Sequence, residues 1–251
     1  MTPPQELREA PAGRGEFRCH ELAAWAADLG VVAGITSRGA DFGLSSTEPT
    51  NAVLDRWRRF RMAMRPGFGT AIVGHQCHGT TLATHQTPGS GWRVEDDIDG
   101  HLTSQPGLLL GVTVADCVPV YLAQETGPWI GLLHAGWRGI AAGIVERGIS
   151  RLCELGACVP SDVVIHCGVS ICGSCYEVGS EVYEAVNGES ALGQRQLDLR
   201  ALVAGRARQS GVRRATVTTW CTAHDHGTFY SHRRSGGTDG RMVAYLGRPS
   251  P

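Results

Sequence analysis

The chain has 251 residues, 23 basic and 24 acidic side chains, a formal net charge of −1 and a 42% apolar composition. That balance gives no electrostatic footing for nucleic acid or an anionic membrane, and the length suits one large domain. No Lys occurs, so every cationic side chain is Arg, which excludes Schiff-base lysines, Ser–Lys dyads and a P-loop lysine. Anions are left to Arg and backbone N–H groups. The nine Cys are odd in number and sit mostly in apolar stretches, which argues against a disulfide framework. The opening MTPPQELREAP lacks a signal peptide's apolar core, and no run is long enough to span a bilayer. The expectation is a reduced, cytoplasmic protein.

In chain order, the Pro-, Arg- and Glu-rich residues 1–15 are expected to form a flexible tail, with a single catalytic domain over 16–251. His20–Leu29 suggests a short helix and Val31–Thr36 a strand, followed by a loop through Asp41. Val53, Leu54, Trp57, Phe60 and Met64 keep helical spacing and stop before Pro66-Gly67. Thr70–Val73 is a strand entering Gly-His-Gln-Cys-His-Gly at 74–79, and Glu95, Asp96, Asp97 and Asp99 read as an acidic loop. Leu108–Ala115 is a nearly unbroken apolar run, expected of a strand covered on both faces. Asp116 and Cys117 follow, and Pro119 is expected to limit further ladder pairing. The next strand, Trp129–Leu133, ends at His134 and a glycine-bearing turn through Gly139. From Ile140 the spacing turns helical, with Ala141, Ile144, Val145, Ile149, Leu152 and Leu155 on one face. A strand at Val163–Ile165 leads into a Gly-rich loop over 168–179. Ser180 then suggests an N-cap for a helix closed by Gly188, and Asp198 a cap for a second helix stopped at Gly211. Strands at Ala215–Trp220 and Met242–Leu246 complete the pattern. The mixture lacks the strict alternation of a Rossmann sheet or TIM barrel.

His78, Cys117 and His134 each end an expected strand among small residues. Two imidazoles and a thiolate suit zinc with an open fourth position; buried Cys and hydrogen-bonded His are the ordinary alternative. Cys117 and His134 also suit a nucleophile–base pair, as in a cysteine hydrolase. Cys172-x-x-Cys175 admits a redox dithiol or half a zinc ribbon, but no second CxxC accompanies it, and two small buried residues is the better reading. His224-x-His226 invites copper, yet a multicopper oxidase needs about ten His ligands in several such pairs; this chain has ten His in all. Arg138, Arg233 and Arg234 are candidate anion binders or solvated rim residues. Asp116 is an acid/base candidate if the strand breaks there, and otherwise a capping carboxylate.

Several segments together carry a recognisable pattern: His-Gly at 78–79, Ala-Asp-Cys-Val-Pro at 115–119, His-Ala-Gly-Trp-Arg-Gly at 134–139, Cys-Tyr-Glu-Val-Gly at 175–179, Cys-Thr at 221–222 and Phe-Tyr-Ser-His-Arg-Arg at 229–234. They resemble the YfiH-like, so-called laccase-domain family, and Asp97-Ile98-Asp99-Gly100 matches its Ala-Asp-Gly stretch. The resemblance implies an α+β fold, a four-layer α/β/β/α sandwich of mixed sheets similar to the catalytic domain of cytotoxic necrotising factor. It implies a metal site of His78, Cys117 and His134 holding zinc, with copper as the alternative. It implies purine nucleoside phosphorylase activity on adenosine, inosine, guanosine and methylthioadenosine, with phosphate as co-substrate and adenosine deaminase activity in addition. Other readings within the family are a polyphenol oxidase and a Cys–His hydrolase editing peptidoglycan precursors. Under the purine reading Cys117, Asp116 and Arg138 are the expected catalytic residues, and Arg38, Gln76 and Arg233 the expected substrate contacts. The chain departs from the family pattern at Cys77, at Val169, Cys172 and Gly173 in the Gly-rich loop, and at Gly43-Leu44.

Overall fold

The structure is a computed structural model that describes residues 4–43 and 48–251; Leu44 and the first three residues of the expected tail lie outside them. The first half runs β1 (Gln5–Glu6), β2 (Ala10–Arg14), β3 (Phe17–Glu21), α1 (Ala23–Leu29), β4 (Val32–Thr36), α2 (Thr50–Met64), β5 (Thr70–His75), β6 (Leu82–His85), β7 (Gly91–Asp96), β8 (Gly100–Thr103) and β9 (Leu108–Val114). The second continues with β10 (Val118–Gln124), β11 (Ile130–Ala135), α3 (Trp137–Ala141), α4 (Ile144–Gly156), β12 (Val163–Cys167), β13 (Glu177–Val178), α5 (Ser180–Asn187), β14 (Arg195–Gln196), α6 (Leu199–Gln209), β15 (Arg214–Val217) and β16 (Met242–Gly247).

Two seven-stranded mixed sheets result, ordered β1-β15-β12-β10-β11-β8-β6 and β2-β3-β4-β16-β9-β5-β7. Their facing sides share a core in which Leu110, Val112 and Val114 of β9 lie with Tyr121, Ala123, Ile130 and Leu132 of β10 and β11. On the outer face of the first sheet, Val118, Val120, Leu122 and Leu133 pack with Ile144, Ile149, Leu152 and Val203 of α4 and α6. On the outer face of the second, Trp57, Phe60 and Met64 of α2 cover Ala71, Val73 and Leu109. The order helix, sheet, sheet, helix is the four-layer α+β sandwich expected.

Several local expectations give way to tertiary context. Pro119 does not limit pairing. It is the second residue of β10, its carbonyl accepts from the Gly168 N–H at 2.9 Å, and the strand pairs antiparallel with both β11 and β12. A proline near a strand's start forfeits one donor and no more. Residues 10–14 of the expected tail pair with β3, and Gln5 and Glu6 pair with β15. Between them Glu9 is buried, accepting from Thr218 at 2.6 Å and pairing with His166 at 3.0 Å. Glu95 and Asp96, expected in a loop, end the strand β7, which runs parallel to β5. Phe17–Glu21 takes the start of the expected first helix into a strand. The helix expected from Ile140 is split at Gly143, whose φ of +86° ends α3 and restarts the chain as α4. Asp198 caps α6 as expected, accepting from the Arg200 and Ala201 N–H groups. Gly179 rather than Ser180 is the N-cap of α5.

Candidate metal centre

The ends of β5, β9 and β11 and the start of β10 meet at one edge of the sandwich. The β5–β9 ladder stops at Val73 opposite Gly111. Gln76 then continues it with its side chain, donating to the Thr113 carbonyl at 2.8 Å and accepting from the Thr113 N–H at 2.7 Å. That amide, expected to meet substrate, is consumed by the backbone. Beyond it the chain turns tightly at His78, whose φ of +61° lies in the left-handed region, a conformation costing about 1–2 kcal/mol for a residue with a Cβ.

Asp99 offsets that cost. Fully buried, its carboxylate accepts from the N–H groups of Cys77 at 3.2 Å, His78 at 3.1 Å and Gly79 at 2.7 Å. It also meets Nδ1 of His134 at 2.8 Å. An ionised carboxylate can only accept, so Nδ1 carries the proton and Nε2 is free for a ligand. Burial alone would raise the Asp99 pKa; the His134 hydrogen bond and the Gly79 N–H hold it well below the usual carboxylate range. A carboxylate that fixes the tautomer and aim of an imidazole is the usual outer partner of a metal-binding histidine. In the sequence Asp99 is one acidic residue among several and part of the Ala-Asp-Gly match; the signal for its role is its place before a glycine at the start of a buried strand.

Register sets the third donor. Pro119 lies opposite His134 and Val118 opposite Ala135, so Cys117 emerges beside Gly136. A Cβ on Gly136 would stand 3.0 Å from the His78 ring and 3.1 Å from the Cys117 sulfur, and one on Gly139 would stand 2.9 Å from the Gly79 carbonyl. The glycines of His-Ala-Gly-Trp-Arg-Gly therefore make room for the ligands and for the His78 turn. One donor atom each from His78, Cys117 and His134 lies within 4.8 Å of the others, and the two rings stand edge to face at 4.8 Å. Burial pushes the Cys117 thiol up, but the adjoining His134 and His78 bring it down to about 6. Burial pushes His134 down, and the Cys117 thiolate and Asp99 more than reverse this, raising it to about 9. Without a cation the pair is thus a thiolate and an imidazolium; a bound cation would replace the imidazolium proton. Two imidazoles, one thiolate and an oriented ring fit a borderline-soft divalent metal with one position left open.

The remaining expected residues form a frame rather than part of this cluster. Asp116 interrupts the strand with a φ of +85°. Its oxygens accept from the Thr222 hydroxyl at 2.5 Å and the Arg233 N–H at 2.6 Å, and the Ile171 N–H reaches its carbonyl at 3.1 Å. Its hydrogen bonds join three loops, as a capping carboxylate does. Arg233 is exposed, with its guanidinium 4.7 Å from the centre of the Tyr176 ring. Burial first, then the Cys117 charge, raises the Tyr176 hydroxyl pKa, which puts this unassigned residue within electrostatic reach of the cluster. Arg138 is exposed over the Trp137 ring at 4.4 Å, with no ion pair among the described residues. Arg38 lies elsewhere, beside a polar cleft of about 320 Å³ with Arg18, Arg56 and Arg59. Its guanidinium donates to the His226 carbonyl at 2.7 Å and pairs with Asp239 at 2.5 Å, bracing the loop that carries Arg233. Cys77 donates its thiol to Asp99 at 3.2 Å, which raises its pKa, and it lies outside the His78–Cys117–His134 cluster. Among the described residues no helix is long and apolar enough to cross a membrane.

Known proteins share this chain's sequence pattern and fold. Residues 27–249 match the family described as multi-copper polyphenol oxidoreductase laccase. The chain is similar to a purine nucleoside phosphorylase of Deinococcus radiodurans, 36% identical over 204 residues that cover 76% of each protein. It is also similar to adenosine deaminase RL5 from an unknown prokaryotic organism, 33% identical over 61% of this chain and 63% of that protein. A crystal structure of YlmD from Geobacillus stearothermophilus superposes with a TM-score of 0.83 at 27% identity, covering 96% of this chain and all of that one.

Proposed function

The chain belongs to the multi-copper polyphenol oxidoreductase laccase family, and from that membership we propose that it is a zinc-dependent purine nucleoside phosphorylase that also deaminates adenosine. The names of the two relatives support the purine substrates. The observation that carries the metal is the convergence of His78, Cys117 and His134 around a space that a carboxylate-oriented imidazole faces. Zinc is favoured over multicopper chemistry by the donor count: two imidazoles and one thiolate suit a single zinc, and no described cluster gathers the several His-x-His pairs that multicopper chemistry requires.

When bound, zinc supplies Lewis-acid polarisation of an oxygen ligand. The protein does the rest. Asp99 holds His134 in the tautomer that presents Nε2, and the depressed Cys117 pKa supplies a thiolate at neutral pH without an external base. Arg138 and Arg233 keep exposed guanidinium groups on the two segments flanking the cluster, suited to a phosphate or a departing purine. Asp116 is a positioning residue: by holding the Arg233 backbone and Thr222 it fixes where that guanidinium begins.

A second reading rests on the same atoms. A thiolate, an imidazolium and a buried aspartate in series also describe a cysteine hydrolase, including one acting on peptidoglycan precursors. The two readings separate by chromatography of inosine and adenosine incubated with the protein, with and without phosphate. Phosphate-dependent release of hypoxanthine or adenine that chelation abolishes supports the zinc phosphorylase. Activity that survives chelation and disappears on thiol alkylation supports the hydrolase, and undiminished nucleoside turnover by Cys117→Ser would overturn both.

A further inference from the structure

We infer that Cys172, Cys175, Cys221 and His224 form a second zinc site, structural in kind and separate from the His78–Cys117–His134 centre. The four residues come from two loops that share a short spacing, Cys172-x-x-Cys175 and Cys221-x-x-His224, the half-site pattern of small zinc modules. The first half lies on a single helical turn over Gly173–Cys175. The second begins at the bridge pairing Ser170 with Cys221.

Distances match a four-coordinate zinc. Ligands at about 2.3 Å for sulfur and about 2.0–2.1 Å for nitrogen put S···N edges of a tetrahedron near 3.6 Å. Nδ1 of His224 lies 3.5 Å from the Cys172 sulfur, and the Cys175 sulfur lies 3.6 Å from Nδ1 and 3.3 Å from Nε2 of the same ring. All four donor atoms lie within 4.8 Å of one another. The Cys172 N–H points at the Cys221 sulfur at 3.3 Å, a donor aimed at a sulfur that acts as acceptor, as a metal-bound thiolate does. A disulfide would use two of the three sulfurs and give no role to an exposed imidazole lying against both halves of the CxxC pair. Four protein donors leave no position for substrate, which makes the site structural. Its place explains its use. Ile171 and Thr222, each next to a ligand, hydrogen-bond to Asp116, the first to its backbone carbonyl and the second to its carboxylate, so a metal here clamps together the two loops that this residue ties to the first centre.

Elemental analysis of the intact protein, purified under reducing conditions, equilibrated with excess zinc and desalted, tests this. Two zinc per chain are expected. His224→Ala, a change at an exposed side chain, and Cys172→Ser/Cys175→Ser should each keep one. Cys117→Ser should also keep one, held by the second cluster, and His226→Ala should keep two. Circular dichroism of each variant reports whether it has folded. Retention of one zinc by Cys117→Ser upholds the second site even if nucleosides prove not to be substrates. A single zinc in the native protein, lost in Cys117→Ser and kept in folded His224→Ala, would overturn it, as would a disulfide among the three cysteines found by alkylation and mass analysis of that same zinc-equilibrated protein.

Discussion

His134 and His166 invite comparison, because both are buried in the same sheet and both touch a buried carboxylate. His134 meets Asp99 at 2.8 Å and His166 meets Glu9 at 3.0 Å. They differ in what the second ring nitrogen does. In His166 it is taken up by the Thr216 hydroxyl at 2.9 Å, so every polar atom of the ring is satisfied by protein and the pair belongs to the core. In His134 it is left facing the Cys117 thiolate and the His78 ring. A buried histidine–carboxylate pair is therefore a poor sign of function by itself; a second ring nitrogen aimed at other metal-capable side chains is a good one.

Breaking the functional side of the comparison should have the largest effects. Cys117→Ser removes the only sulfur of the centre and is expected to abolish metal binding there and nucleoside turnover with it, read by elemental analysis and product chromatography. Asp99→Asn should come next. It leaves the ligands in place but disturbs the His134 tautomer, and loss of such an outer carboxylate costs about 10–100-fold in metal affinity or activity. A zinc titration against a competing chelator would measure it, and an unchanged affinity would show that Asp99 serves only the His78 turn.

Glu9→Gln tests the core side. Burial would raise the Glu9 pKa, but His166 and Thr218 lower it below its model-compound value of 4.5. A carboxylate depressed in the folded state stabilises the fold above that value, and the contribution fades as pH falls through the folded pKa. Urea unfolding should therefore show Glu9→Gln less stable than the parent at pH 7, by about 1–3 kcal/mol for a weakened buried charged hydrogen bond. The gap should narrow toward pH 3, with the metal content of the variant at pH 7 equal to the parent's. A gap that widens on acidification would contradict the assignment. The smallest change is expected from Cys77→Ser, because a hydroxyl can also donate to Asp99; loss of a zinc equivalent would instead make Cys77 a ligand.

The same contrast separates what was legible in the sequence from what was not. Leu108–Val114 and Ile130–Leu133 are apolar on both faces and announce central strands, and the donors at their ends follow directly. Val118–Gln124 is equally buried, yet Pro119 masks it, because a local rule about donors says nothing of where in a strand the proline falls. Glu9, within a segment composed like a tail, is held by partners at 166 and 218, more than 150 residues away. Asp99 hid among acidic neighbours for the same reason: its four main partners converge only once β5, β8 and β11 are assembled. Gln76 reads equally as a substrate contact or a backbone partner, and its two hydrogen bonds to Thr113 form only once β5 and β9 lie side by side. Cys221 and His224 carry no signal by themselves, because the residues they meet, Cys172 and Cys175, lie some fifty positions away in the chain.

The most direct test of the first centre is inosine phosphorolysis by protein stripped with a chelator, assayed before and after zinc or copper is added back. Loss of base release on stripping and its return with zinc alone, in the parent but not in Cys117→Ser, is the predicted result. Undiminished phosphorolysis by the stripped protein would contradict a metal centre at His78, Cys117 and His134, and restoration by copper alone would contradict zinc as its metal.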